Sequence, residues 1–166
     1  MIKETLKLLV VLILTIHCSA NTIQLLRVRK TEIIYTSQYT IHQKELTWYE
    51  ARAECESCGG NLVTIDDSAE HTYLIQKLNE LKVGQVWIGL NDRAGEGRFR
   101  WVKDDSEDGF KQWCNGQPNN VGGHEDCVEL RDEILGNCLN DRPCGSYRLP
   151  FICEVNIHKT LTVNTF

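Results

Sequence analysis

Eight cysteines in 166 residues constrain this chain strongly, because the compartment in which it folds decides whether they become cross-links or metal ligands. The N-terminus points to the compartment. Lys3 and Lys7 precede the apolar run Leu8–Ile16, and Cys18-Ser19-Ala20 supplies the small residues that a signal peptidase prefers, so residues 1–20 read as a secretory signal peptide. The run is shorter than the ~20 apolar residues that span a bilayer, and no second one follows, so no membrane insertion is expected. Cys18 leaves with the signal. The remaining cysteines, at 55, 58, 114, 127, 138, 144 and 153, then meet an oxidising compartment. A Cys55-x-x-Cys58 spacing that would suggest zinc or redox chemistry in a cytosolic protein stands here for disulfides.

Without Lys3, Lys7 and Glu4 the secreted chain carries 16 basic and 22 acidic residues. That balance argues against nucleic acid as a partner. Residues 21–32 are short, basic and without period, and read as an arm. Ile33–His42 is rich in β-branched and aromatic residues and reads as a strand. Thr47-Trp48-Tyr49-Glu50 is a capping box that opens a helix to about Ser57, with Trp48, Ala51 and Cys55 on one face. Gly59-Gly60 ends it. After a short strand at Asn61–Ile65, Asp67-Ser68-Ala69-Glu70 caps a second helix whose buried stripe is Leu74, Leu78 and Leu81. Strand signals return at Gln85–Leu90, Arg98–Lys103, Cys127–Leu130 and Leu149–Val155. Two early helices and mostly late strands predict an α+β domain with an antiparallel sheet.

The chemistry concentrates between Gln117 and Asp141, a segment of turn residues with little sign of a long helix or strand. The carboxylates of Glu125 and Asp141 join the amides of Gln117, Asn119 and Asn140 around a bend at Gly122-Gly123. Such an all-oxygen set suits calcium better than zinc, although the same composition also describes an ordinary surface loop. The acidic run Asp104–Asp108 lacks EF-hand spacing and reads as a charged surface turn. Histidines 42, 71, 124 and 158 fit no catalytic spacing, so no enzyme is expected.

Gln117-Pro118-Asn119, Glu125-Asp126-Cys127, Asn140-Asp141-Arg142-Pro143-Cys144, Phe151-Ile152-Cys153-Glu154 and the upstream Trp87-Ile88-Gly89-Leu90 stand in an order that resembles the C-type lectin-like domain family, from about Tyr35 to Val155. The resemblance implies a domain over residues 33–155 followed by a C-terminal tail at 156–166, with two helices, antiparallel sheets and a long calcium-binding loop. It implies disulfides Cys55–Cys153 and Cys127–Cys144. Cys114 and Cys138 flank the loop outside the common pattern and are expected to form a third bridge. Cys58 is then left over, for an intermolecular bridge that would make a homodimer or for a buried free thiol.

Carried over by the same resemblance, the principal calcium ligands are Gln117, Asn119, Glu125, Asn140 and Asp141, with a cis bond before Pro118. An auxiliary calcium set falls on Asp92, Glu96, Asn120, Glu125 and Asp126. A sugar would complete the principal ion with two vicinal hydroxyls that also bond these same side chains. Mannose-type members resemble Glu-Pro-Asn and galactose-type members Gln-Pro-Asp, whereas Gln117 and Asn119 are both amides here. Asn120–His124 holds no aromatic ring of the kind galactose-type members place after the motif, which leans the expectation toward mannose or fucose. His124 itself reads as an exposed loop histidine, and Leu139, where most members have Trp, as core variation. The implied function is calcium-dependent glycan binding, in innate defence or cell adhesion. The alternative is a lectin-like domain that has lost sugar binding and contacts a protein or another surface.

Overall fold

The structure, a computed structural model, describes residues 23–28 and 34–159, with side chains from 37 to 157. The signal peptide expected at residues 1–20 lies outside the described residues, as does most of the C-terminal tail. Eight strands form one sheet in the order β1-β2-β8-β4-β6-β7, with β3 attached to β8 and β5 to β4. The strands are β1 (Ile23–Val28), β2 (Ile34–Leu46), β3 (Asn61–Leu62), β4 (Gln85–Asn91), β5 (Arg100–Trp101), β6 (Cys127–Arg131), β7 (Leu139–Arg142) and β8 (Leu149–Lys159). The helices are α1 (Trp48–Ser57) and α2 (Ser68–Leu81).

Local signals explain both helix starts. At α1 the Thr47 side chain accepts from Glu50 N at 3.3 Å while the Glu50 carboxylate accepts from Thr47 N at 2.8 Å, completing a capping box. At α2 Asp67 accepts from Glu70 N at 2.8 Å, but the Glu70 carboxylate turns into the core instead of back to the cap. There it accepts from the Tyr39 hydroxyl and from Asp66 N. Each helix buries one stripe: Trp48, Ala51 and Cys55 on α1, and Leu74, Ile75 and Leu78 on α2. The α2 stripe packs on Val86, Ile88, Leu90, Val128, Leu130 and Leu139. Trp48, Trp87 and Phe151 fill a second core beside two disulfides. Both indoles satisfy their buried N–H, Trp48 on Ile88 O and Trp87 on Leu46 O, each at 2.9 Å.

Four sequence expectations change. The sheet is mixed rather than antiparallel throughout, because β4 meets β8 in parallel at Trp87 and Phe151. Ile23–Val28, read as an arm, pairs antiparallel with β2 as an edge strand. The last strand runs past Val155 to Lys159, alongside the start of β2. Finally, Leu139–Arg142 is a strand rather than loop. Asn and Asp disfavour strands, yet pairing with β6 satisfies their backbone and burial of Leu139 anchors the segment.

Three disulfides are present among the described residues: Cys55–Cys153, Cys114–Cys138 and Cys127–Cys144, with Cα separations of 5.3, 4.9 and 5.2 Å. Among the described residues no cysteine is free, Cys58 included. No helix among the described residues is long and apolar enough to cross a membrane.

Candidate functional site

The site lies between β5 and β6 and on β7. Asn120 (φ 42°), Gly122 and Gly123 (both φ 73°) adopt left-handed backbone around a single 3-10 turn, Val121–Gly123, and so bend the chain where no ladder can form. The Gln117–Pro118 bond is cis. The base of the loop is closed by the Cys114–Cys138 bridge and by Cys114 N donating to Leu139 O at 2.9 Å.

Asp141 is 1% exposed on β7, and its carboxylate accepts from Asn119 N at 3.0 and 3.2 Å and from Asn120 N at 2.7 Å. Glu125, 7% exposed, accepts from Val121 N at 2.8 Å, while its own N–H donates to Asn120 Oδ1 at 3.0 Å. Among the described residues no cationic side chain pairs with either carboxylate. Two negative charges are therefore buried against backbone dipoles alone, an arrangement that an ion of opposite charge would stabilise. Gln117 Oε1 is also buried and accepts no hydrogen bond among the described residues. Asn140, 2% exposed, donates from Nδ2 to Glu129 Oε1 and to Asp141 O, both at 2.9 Å, which leaves its own Oδ1 as an acceptor. Hydrogen bonds thus knit Asn119, Asn120, Glu125, Asn140 and Asp141 together, and none ties the Gln117 or Asn119 side chain to them.

The donor set is carboxylate, amide and carbonyl oxygen, with no sulfur and no imidazole, and fits a hard cation. Among the described residues no three Asp, Glu, His or Cys side chains form a ready metal cage. Amide oxygens would have to complete any coordination.

The auxiliary residues form two linked groups, Glu96–Asn120–Glu125 and Asp92–Asp126. Asn120 Nδ2 donates to Glu96, while Asp92 N donates to Asp126 O at 3.1 Å. Asp92 is 3% exposed; Oδ2 accepts from Gly97 N at 2.8 Å, and Oδ1 is buried without a partner among the described residues. Burial, followed by the nearby charges of Glu96 and Asp126, pushes the Asp92 carboxyl above its ordinary value. The acidic run further along pairs with arginines: Asp105 with Arg100 at 2.7 Å, and Glu107 with Arg98 at 2.8 Å and Arg100 at 3.1 Å. His124 is exposed.

One residue of the site escaped the sequence reading. Glu129 is fully buried on β6 opposite Asn140, and its Oε1 accepts from Asn140 Nδ2, Arg131 Nε and Arg142 Nε at 2.9, 2.9 and 3.2 Å. Its signal in the sequence was the alternation Val128-Glu129-Leu130-Arg131, which puts Glu and Arg on one strand face.

Comparison with known proteins gives the family of the fold. The family model of the lectin C-type domain matches residues 44–155. The low affinity immunoglobulin epsilon Fc receptor of Mus musculus is 39% identical over 107 residues, which span 64% of this chain and 30% of that protein's length. The perlucin-like protein of Mytilus galloprovincialis is 32% identical over 121 residues, 71% of this chain and 76% of that protein. Among solved structures, the cow C-type carbohydrate-recognition domain of CD23, crystallised in the presence of GlcNAc2Man3 oligosaccharide, superposes with a TM-score of 0.66 at 28% identity, covering 84% of this chain and 96% of that one. A calcium-independent type II antifreeze protein, 23% identical with a TM-score of 0.65 over 84% of this chain and 95% of its own, shares the fold alone. Since the family model spans most of the described residues, and relatives above 30% identity accompany it, this chain belongs to the C-type lectin domain family.

Proposed function

We propose that the protein is a secreted, calcium-dependent glycan-binding protein for mannose- or fucose-type sugars, acting in innate defence or cell adhesion. As a lectin-family member it is a binding protein, not an enzyme. The observation that carries the proposal is the pair of buried carboxylates, Glu125 and Asp141, held by backbone N–H groups and by no cationic side chain among the described residues. Gln117, Asn119, Glu125, Asn140 and Asp141 would hold the principal ion. Asp92, Glu96, Asn120 and Asp126 would join Glu125 around an auxiliary one. Bound calcium supplies open positions for two vicinal sugar hydroxyls. The chain's own residues do the rest: the carboxylates would accept hydroxyl protons and the Gln117 and Asn119 amides would donate to hydroxyl oxygens, while Asn140, its NH2 spent on Glu129 and Asp141 O, offers only its Oδ1. Only two formal charges serve the principal site, which sets the expected affinity in the extracellular range of about 10⁻⁴–10⁻³ M calcium. Val121, 63% exposed beside Asn120, offers aliphatic contact where an aromatic platform is absent.

A glycan array probed with the folded chain in millimolar calcium, and again in EDTA, tests the proposal. Calcium-dependent signal on mannosyl or fucosyl structures is expected. Galactosyl signal would keep the site and overturn the sugar class, and no calcium-dependent signal would refute the function.

A second reading, contact with a protein or other surface without sugar, draws on a different part of the molecule. Ile134 and Leu135, at the β6–β7 tip, are 90% and 44% exposed. Under that reading Ile134→Ser would abolish binding to the partner surface, and EDTA would leave it unchanged.

A further inference from the structure

The β6–β7 hairpin carries a charge cluster beside the proposed sugar site. Glu129 lends one oxygen to three donors: Asn140 Nδ2, Arg131 Nε and Arg142 Nε. Two guanidiniums around one carboxylate leave a surplus positive charge, on a chain whose net charge is negative. Asn140 and Arg142, two residues apart on β7, share a strand face and bond the same oxygen. The shared carboxylate therefore fixes Arg142 next to a proposed calcium and sugar ligand.

The two arginines are not equivalent. Arg131 also directs Nη1 toward Cys114 Sγ at 4.0 Å, back toward the base of the loop. Arg142 uses only Nε, its guanidinium lies 4.7 Å from the centre of the Tyr147 ring, and its terminal nitrogens make no hydrogen bond among the described residues. A guanidinium recruited only to neutralise Glu129 would engage it with its two-pronged fork. Here the neutralising contact is made at the stem side, and Tyr147 braces the plane, which leaves the fork for another oxyanion. The Arg142 side chain is 24% exposed, so solvent and ligand reach it.

We propose that Arg142, positioned by Glu129 and Tyr147, selects glycans bearing an anionic substituent, a sulfate or a uronate carboxylate, next to the sugar held at the calcium site. This rests on the glycan-binding function proposed above and narrows its ligand class. The calcium site would take the vicinal hydroxyls, and the Arg142 fork would take the oxyanion of the same or the adjoining residue.

Matched mannosyl and fucosyl oligosaccharides, unmodified, 6-O-sulfated or glucuronate-terminated, serve as probes for titration in calcium and in EDTA. The expected result is calcium-dependent binding in which an anionic member is favoured over its neutral partner on the order of ten-fold, the range of one charge-assisted contact at a partly exposed site. Preference for the sulfated or the glucuronate arm alone supports the inference and identifies the oxyanion. In Arg142→Gln the anionic-to-neutral ratio falls toward one, in Arg142→Lys it falls less, and in Arg98→Gln, which lies in the Glu107 ion pair, it stays at the wild-type value. Melting curves in calcium exclude variants that fail to fold, and Arg142→Lys then carries the comparison. Equal binding of neutral and anionic probes, or a ratio unchanged in folded Arg142→Gln, overturns the inference and leaves the glycan-binding function standing. Anionic binding of equal strength in EDTA also overturns it, because the anion would then be held without the site. Absence of any calcium-dependent binding refutes the underlying function, and the inference with it.

Discussion

Replacing Asp141 with asparagine separates a carboxylate that serves the fold from one that serves a cation. Asp141 receives the N–H groups of Asn119 and Asn120 on its two oxygens. An asparagine keeps one acceptor oxygen and turns an NH2 toward the other N–H, so the calcium-free variant should lose about one charge-assisted hydrogen bond, about 1.5–3 kcal/mol. The calcium-dependent part is independent of that loss. For a dissociation constant near 0.5 mM, 10 mM calcium stabilises the folded state by RT ln(1 + [L]/Kd), about 1.8 kcal/mol. At about 4 °C per kcal/mol for a domain of this size, that is a rise of roughly 7 °C in the melting midpoint. Loss of one of two charged ligands should weaken the ion at least ten-fold, to about 5 mM or worse, and the same calcium then gives about 0.7 kcal/mol or less, roughly 3 °C. Thermal scans of both proteins in EDTA and in 10 mM calcium read the two effects apart. A variant whose midpoint rises with calcium as much as the wild type's would refute the placement of the ion at Asp141.

Three further outcomes follow from the scaffold. The Cys114→Ala/Cys138→Ala double variant opens a loop with a sequence separation of 24, and should lose about 3 kcal/mol of unfolding free energy by urea titration, against nearer 5 kcal/mol for Cys55→Ala/Cys153→Ala, whose separation is 98. A Cβ at Gly89 would lie 2.7 Å from Leu62 O and 2.9 Å from Val102 Cγ2, so Gly89→Ala should cost about 1–3 kcal/mol, read as a lower urea midpoint at unchanged m. Burial lowers the pKa of His42, stacked on Phe151, and of His71. The unfolded chain then binds protons near pH 6.5 while the folded chain does not, so stability is full above that pH and falls as the pH drops toward the folded values. The urea midpoint should therefore fall between pH 7.5 and 5.5, and fall less in His42→Gln/His71→Gln; an equal drop in both proteins would exclude the histidines as the cause.

What could be read from sequence was what local physics decides. The Thr47–Glu50 capping box and the Asp67 cap involve residues three apart, and both stand in the structure. The apolar stripe of α2 was equally legible, although Leu81 at its end is only partly buried. The failures share one cause, partners brought together by the tertiary fold. Leu139–Arg142 has little strand propensity and becomes β7 because β6 offers it a ladder. Glu70 looked like a reciprocal cap, but Tyr39, distant in sequence, takes its carboxylate into the core. Glu129 lay unremarked within the Cys127–Leu130 strand signal, and only hairpin register sets it against Asn140 and beside Arg142. At the site itself, the residue types were legible from the motifs, while the burial of Glu125 and Asp141 and their purely backbone partners emerged only from the folded loop.

Calorimetric titration of calcium into the folded, disulfide-bonded chain bears most directly on the claim that this loop is a cation site built for sugar. A dissociation constant within about 10⁻⁴–10⁻³ M, lost in both Asp141→Asn and Glu125→Gln, is the result the account predicts. No calcium heat in the wild-type chain well above those concentrations, from protein with a cooperative melting transition, would contradict it.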